Sequence, residues 1–81
     1  MQMTRSEAEA AVKRIVGDHL GVPGSTLLAS TNLQVNLGAE TFDKLELLMT
    51  IEEHFEIQIP EENLHSIQTL GDIVECVINF S

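Results

Sequence analysis

The stretch Asn36–Phe55, NLGAETFDKLELLMTIEEHF, constrains this chain more than any other. Gly38 breaks the pattern before Thr41, a residue type whose hydroxyl caps helix starts, and from Phe42 onward no Gly or Pro intervenes until Pro60. The pattern predicts a helix from about Thr41 to about Phe55. At roughly 100° per residue, its apolar side chains cover an arc far wider than one core requires. Leu47, Leu48, Ile51 and Phe55 fall on one side, Phe42, Leu45 and Met49 on another, and Glu52 lies on the line between them. The second stripe is bounded by Glu52 on one edge and by Glu53 and Glu46 on the other, with Asp43 farther round. Carboxylates along both edges suit a docking surface better than a core face. The alternative is a single broad core face from which Glu52 reaches out to water.

Eighty-one residues make one domain, with a small core that buries roughly 60% of the surface of the unfolded chain. A hydrophobic fraction of 43% with clear periodicity argues against disorder. No apolar run approaches the ~20 residues that span a bilayer, so no membrane insertion is expected. The start, MQMTRSEAEA, lacks the apolar centre of a secretory signal, and Cys76, the lone cysteine, forms no internal disulfide; both point to a cytoplasmic setting. The net charge of −9 is one-sided: residues 1–35 hold three acidic and three basic residues, residues 36–81 ten acidic residues and only Lys44. Such a field repels nucleic acid and favours partners that present Lys and Arg.

The first helix starts near Thr4 or Ser6, each with a glutamate three residues on (Glu7, Glu9) for a capping box. Ala8, Ala11, Val12, Ile15, Val16, His19 and Leu20 make its buried face, and Gly21 with Pro23 ends it. Residues 21–40 form a long connection in which Val22, Leu27, Leu28, Leu33, Val35 and Leu37 supply apolar side chains for packing across helix ends, an ordered lid. After the central helix, Glu56–Pro60 alternates like a strand but has no partner, so Ile57 and Ile59 plug the core from a turn. Pro60 fits the first position of a short helix through about Ser66, with Leu64 and Ile67 facing in. Thr69 caps a last helix with Asp72 in the capping-box position, and Leu70, Ile73, Val74, Val77 and Ile78 form its buried face, with Cys76, a partly buried thiol, beside it. The expected fold is all-α: a four-helix bundle with a long first loop and a short third helix.

Catalytic constellations are absent from the sequence. There is no GxSxG, no phosphate-binding Gly-rich loop, no HExxH and no EF-hand loop; His19, His54 and His65 fall in separate segments, so no metal site is expected. Adjacent acids such as Glu52 and Glu53 point to different sides of a helix and do not pair for acid–base work. The position with chemical meaning is Thr41, a hydroxyl at the start of the central helix, where free N–H groups and the helix dipole favour a phosphate ester. The structural reading of the same residue is an N-cap.

The run from Leu37 to Leu48, LGAETFDKLELL, then Glu52-Glu53-His54-Phe55 and Ile57-Gln58-Ile59-Pro60, resembles the acyl carrier protein family, whose pattern reads approximately LGADSLDxVELVxxxEExFxIxIP. The likeness extends to Leu20-Gly21-Val22 and to TLGDIV from Thr69 to Val74, nearly the whole chain. The resemblance implies a four-helix fold and a 4′-phosphopantetheine arm that carries acyl groups as thioesters to acyl-handling enzymes of fatty acid, polyketide or related lipid synthesis. The resemblance implies a carrier, not an enzyme, and no oligomer is expected. Where the family has its attachment serine this chain has Thr41, between Glu40 and Phe42, so the attacking hydroxyl is secondary, with a methyl group crowding in-line approach to the pyrophosphate of coenzyme A. An arm-free interaction module with the same fold therefore stays open. The resemblance places partner recognition, by basic surfaces of acyl-handling enzymes and of phosphopantetheinyl transferase, on Phe42, Asp43, Leu45, Glu46, Met49, Glu52 and Glu53. It makes Ile59, Leu64 and Ile67 candidate lining for an acyl pocket; plain core filling fits them equally well.

Overall fold

The computed structural model describes residues 3–80. Among these residues four helices and one short 3-10 turn follow in order: α1 (Arg5–Leu20), the turn Gly24–Thr26, α2 (Thr41–Phe55), α3 (Glu61–Leu64) and α4 (Leu70–Phe80). No strand occurs among the described residues; a single bridge joins Asn32 to Thr69. The all-α expectation and its element order hold.

Both capping boxes read from the outer helices form. The Thr4 hydroxyl accepts from Glu7 N–H at 3.1 Å, and the Glu7 carboxylate accepts from Thr4 N–H at 3.0 Å, which holds that carboxyl below its ordinary pKa. At α4 the Asp72 carboxylate accepts from the N–H groups of Gln68 and Thr69, both at 2.9 Å, while Asp72 N–H donates to the Thr69 hydroxyl at 3.1 Å. Partial burial opposes ionisation of Asp72, but these hydrogen bonds together outweigh it and leave its pKa lowered.

α1 packs against α4 and α2. Ala8, Val12, Ile15 and Val16 of α1, Leu47, Leu48 and Ile51 of α2, and Leu70, Ile73, Val74 and Val77 of α4 are buried together, and every buried side chain in this core is apolar. His19 departs from its expected place on the α1 face and is exposed. The cover at that end comes from the returning chain, which lies against Gly17 instead: a Cβ there would stand 2.7 Å from the Val22 carbonyl oxygen.

The long connection is ordered, but only some of its apolar residues act as a lid. Leu27, Leu33 and Ala39 are buried, whereas Leu28 and Val35 are 62% and 80% exposed. The reason lies in the backbone pairing. Leu33 N–H donates to Gln68 O, Leu70 N–H to Thr31 O and Gly71 N–H to Ala29 O, all within 2.8–2.9 Å. Asn32 Oδ1 accepts from Gln34 and Val35 N–H, winding the chain into a turn that points Leu33 inward and Val35 out.

α2 stops at Phe55 without a glycine. Glu56 takes the left-handed conformation, φ 56°, which costs a non-glycine residue about 1–2 kcal/mol. The turn carries Ile57 and Ile59 into the core, each 7% exposed, and burying two such side chains contributes on the order of 3–6 kcal/mol, enough to outweigh the strain. Glu52 reinforces the turn: its Oε2 accepts from Ile59 N–H at 2.8 Å. α3 is shorter than expected and ends at Leu64, and Pro60 occupies the capping position rather than the first helical one. Asn63 O accepts both the backbone N–H and the hydroxyl of Ser66, which closes the chain into a turn there.

Candidate functional site

The start of α2 differs from the sequence reading in a way that matters chemically. Glu40, not Thr41, is the capping residue: it is extended (φ −85°, ψ 172°), and its carbonyl accepts the first helical bond, from Lys44 N–H at 2.9 Å. The Asp43 carboxylate accepts from Glu40 N–H at 3.0 Å and so sets the helix start one residue earlier than a threonine cap would. Thr41 becomes the first helical residue. Its side chain is exposed, and its hydroxyl makes no hydrogen bond among the described residues. The capping role that would have explained this hydroxyl structurally is filled by another residue.

Two grooves open beside Thr41. One, of about 320 Å³, runs between α2 and the loop at Asn32–Val35 and has Ile67 in its wall. The other, of about 580 Å³, runs between α2 and α3 and is lined by Leu45, Glu61, Glu62 and Leu64. Thr41, Lys44 and His65 line both. Of the three candidate acyl-pocket residues, Leu64 is half-buried in the second groove, Ile67 is buried and lines the first, and Ile59 is buried in the core and lines neither.

The two-stripe division of α2 is present in the structure. Leu47, Leu48 and Ile51 are at most 1% exposed, while Phe42, Leu45 and Met49 are 69%, 39% and 61% exposed. The carboxylates around the outward stripe are not equivalent. Asp43 and Glu52 are half-buried and already accept backbone N–H groups, whereas Glu46 and Glu53 are exposed and make no side-chain hydrogen bond or ion pair among the described residues. Cys76 is buried in α4; desolvation first, then the charges of Asp72 and Glu75, push its thiol pKa up, so it is an inert packing residue.

Thr41 thus presents an exposed, unbonded hydroxyl on the first turn of a helix, in the lining of two grooves, and residues 10–77 match the family described as phosphopantetheine attachment site. The chain belongs to that family. It also resembles the solved structure of the acyl carrier protein from Enterococcus faecalis, with a TM-score of 0.81 and 25% identity over 98% of this chain and 100% of that one. It is thus a carrier domain of the acyl carrier protein type, and the family brings with it 4′-phosphopantetheine as prosthetic group. The residues present fit that group: a free hydroxyl, unpaired N–H groups in the first turn of a 15-residue helix, and open space beside them.

Sequence reasoning missed Lys44 and His65 as site residues. The available signal was the position of Lys44, three residues after Thr41 and the single basic residue among residues 36–81. His65 had no signal, because its neighbourhood depends on where α3 ends.

Proposed function

We propose that this domain carries acyl groups on a phosphopantetheine arm esterified to Thr41 and delivers them to acyl-handling enzymes that dock on the outward stripe of α2. The observation that carries this reading is the Thr41 hydroxyl: exposed, bound to nothing among the described residues, and relieved of capping by Glu40 and Asp43. When attached, the arm supplies a terminal thiol that holds the acyl group as a thioester. The chain's own residues do the rest. Thr41 provides the ester oxygen, the free N–H groups of the first turn of α2 face the phosphate charge, and the grooves beside Leu45, Leu64 and Ile67 offer apolar wall to the cargo. No side chain here acts as acid, base or nucleophile towards the cargo, so the domain is a carrier and the chemistry belongs to its partners.

Docking rests on Phe42, Leu45 and Met49, three exposed apolar side chains, with Glu46 and Glu53 as the free charges beside them. Asp43 and Glu52 shape the surface more than they steer a partner, since their carboxylates are engaged with Glu40 and Ile59. Partners with basic surfaces, the transferase included, are the complement. Co-expression with a phosphopantetheinyl transferase and intact-mass measurement test the reading. The parent gains one arm, Thr41→Ala gains none, and the double variant Glu46→Lys, Glu53→Lys loads more slowly with a reduced salt dependence. Absence of an arm on both the parent and Thr41→Ser identifies an arm-free interaction module instead.

A further inference from the structure

Lys44 is a cation with an unusual environment. It is the single basic residue in a segment with ten acidic ones, and Glu40, Glu61 and Glu62 line the grooves that it lines. Yet it makes no ion pair among the described residues. Its ammonium instead donates to a neutral acceptor, the carbonyl oxygen of Ile67, at 3.0 Å in a part-buried position. That bond anchors the side chain across the space between α2 and the segment leading into α4, and it leaves two of the three ammonium donors unassigned.

Lys44 stands one helical turn after Thr41 on α2. Residues three apart on a helix are surface neighbours, with Cβ atoms about 5–6 Å apart, and long helical side chains lean toward the N-terminus, here toward the turn that contains Thr41. Both residues line both grooves. An ester phosphate on Thr41 would otherwise enter a field of carboxylates, where like charges repel it.

We infer that Lys44 is the positioning residue for the phosphate at Thr41: tethered by Ile67 O, it directs its remaining N–H donors at the phosphodiester and holds the arm over the dividing line between the two grooves. This rests on the carrier reading of Thr41. Lys44 acts by fixing where the arm starts, and so into which groove it lies.

The decisive variant is Lys44→Gln, whose amide can keep the bond to Ile67 O while the charge is lost; Lys44→Met loses both, and Lys44→Arg keeps both. On the loaded protein, 31P NMR reads the phosphodiester and proton NMR reads contacts of the arm's amides with α2. Lys44→Gln and Lys44→Met should shift the 31P resonance and lose those contacts, and Lys44→Arg should retain them, with helical content unchanged in Lys44→Gln. A 31P resonance and arm contacts identical in parent and Lys44→Gln would overturn the inference; so would changes in Lys44→Met alone, which would make the residue a structural tether only. If no transferase loads the protein, the carrier reading fails and Lys44 is still decided. A thiol-reactive phosphodiester attached chemically to Thr41→Cys gives the same 31P comparison, since Cys76 is buried and its thiol is raised in pKa.

Discussion

Thr41 and Thr69 are both threonines at helix starts, and only one of them caps. Thr69 lies within a reciprocal hydrogen-bond pair with Asp72, and Thr69→Ala should cost about 1 kcal/mol. Thr41 follows the capping residue, and Thr41→Ala should stay within about 0.5 kcal/mol of the parent, as an exposed substitution does. Thermal or denaturant melts of the two variants give the comparison, and equal losses would return Thr41 to a structural role. Thr69 is legible in the sequence because threonine with an acid three residues on is a complete capping signature. At α2 the box is Glu40 with Asp43, and a glutamate in the capping position is uncommon enough that the adjacent threonine looks like the better cap. His19 illustrates a different limit. Helical periodicity places it on the buried face, but periodicity carries no information on whether a neighbour reaches that far along the helix.

Among the elements, α2 presents one apolar face to the core and a second one to solvent, the face proposed for docking. Ile51 is fully buried and Met49 is 61% exposed. Ile51→Ala should therefore cost about 2–5 kcal/mol, and Met49→Ala under about 1 kcal/mol, in equilibrium unfolding. Comparable large losses at both sites would mean one broad core face and no docking stripe. The division is readable in the sequence alone, since an arc of apolar residues split by Glu52 needs only the helical angle. The engagement of Glu52 with the backbone of Ile59 is not, because it depends on how the chain turns after Phe55. The same holds for the loop: Leu28 and Val35 are as apolar as Leu27 and Leu33. Only the pairing of residues 29–33 with residues 68–71 decides which of them turn inward.

At the scale of the whole molecule, charge and cargo meet. Ten acidic residues against one lysine after position 35 repel one another in the folded state, and salt shortens the reach of that repulsion to about 8–10 Å near physiological strength. Added salt or magnesium should therefore raise the melting temperature, and a melting temperature indifferent to both would show that the excess charge is already dispersed. The central claim, that Thr41 is an attachment point whose methyl group obstructs the reaction without disturbing the fold, is tested most directly by a time course. Parent and Thr41→Ser are incubated with coenzyme A and a promiscuous phosphopantetheinyl transferase, and intact masses are followed. Both hydroxyls occupy the first turn of the same helix, so both should gain one arm, with Thr41→Ser faster by on the order of 100-fold, the scale that a small misplacement of reacting groups costs. Equal rates would contradict the steric account of the methyl group, and no arm on either protein would contradict the claim itself.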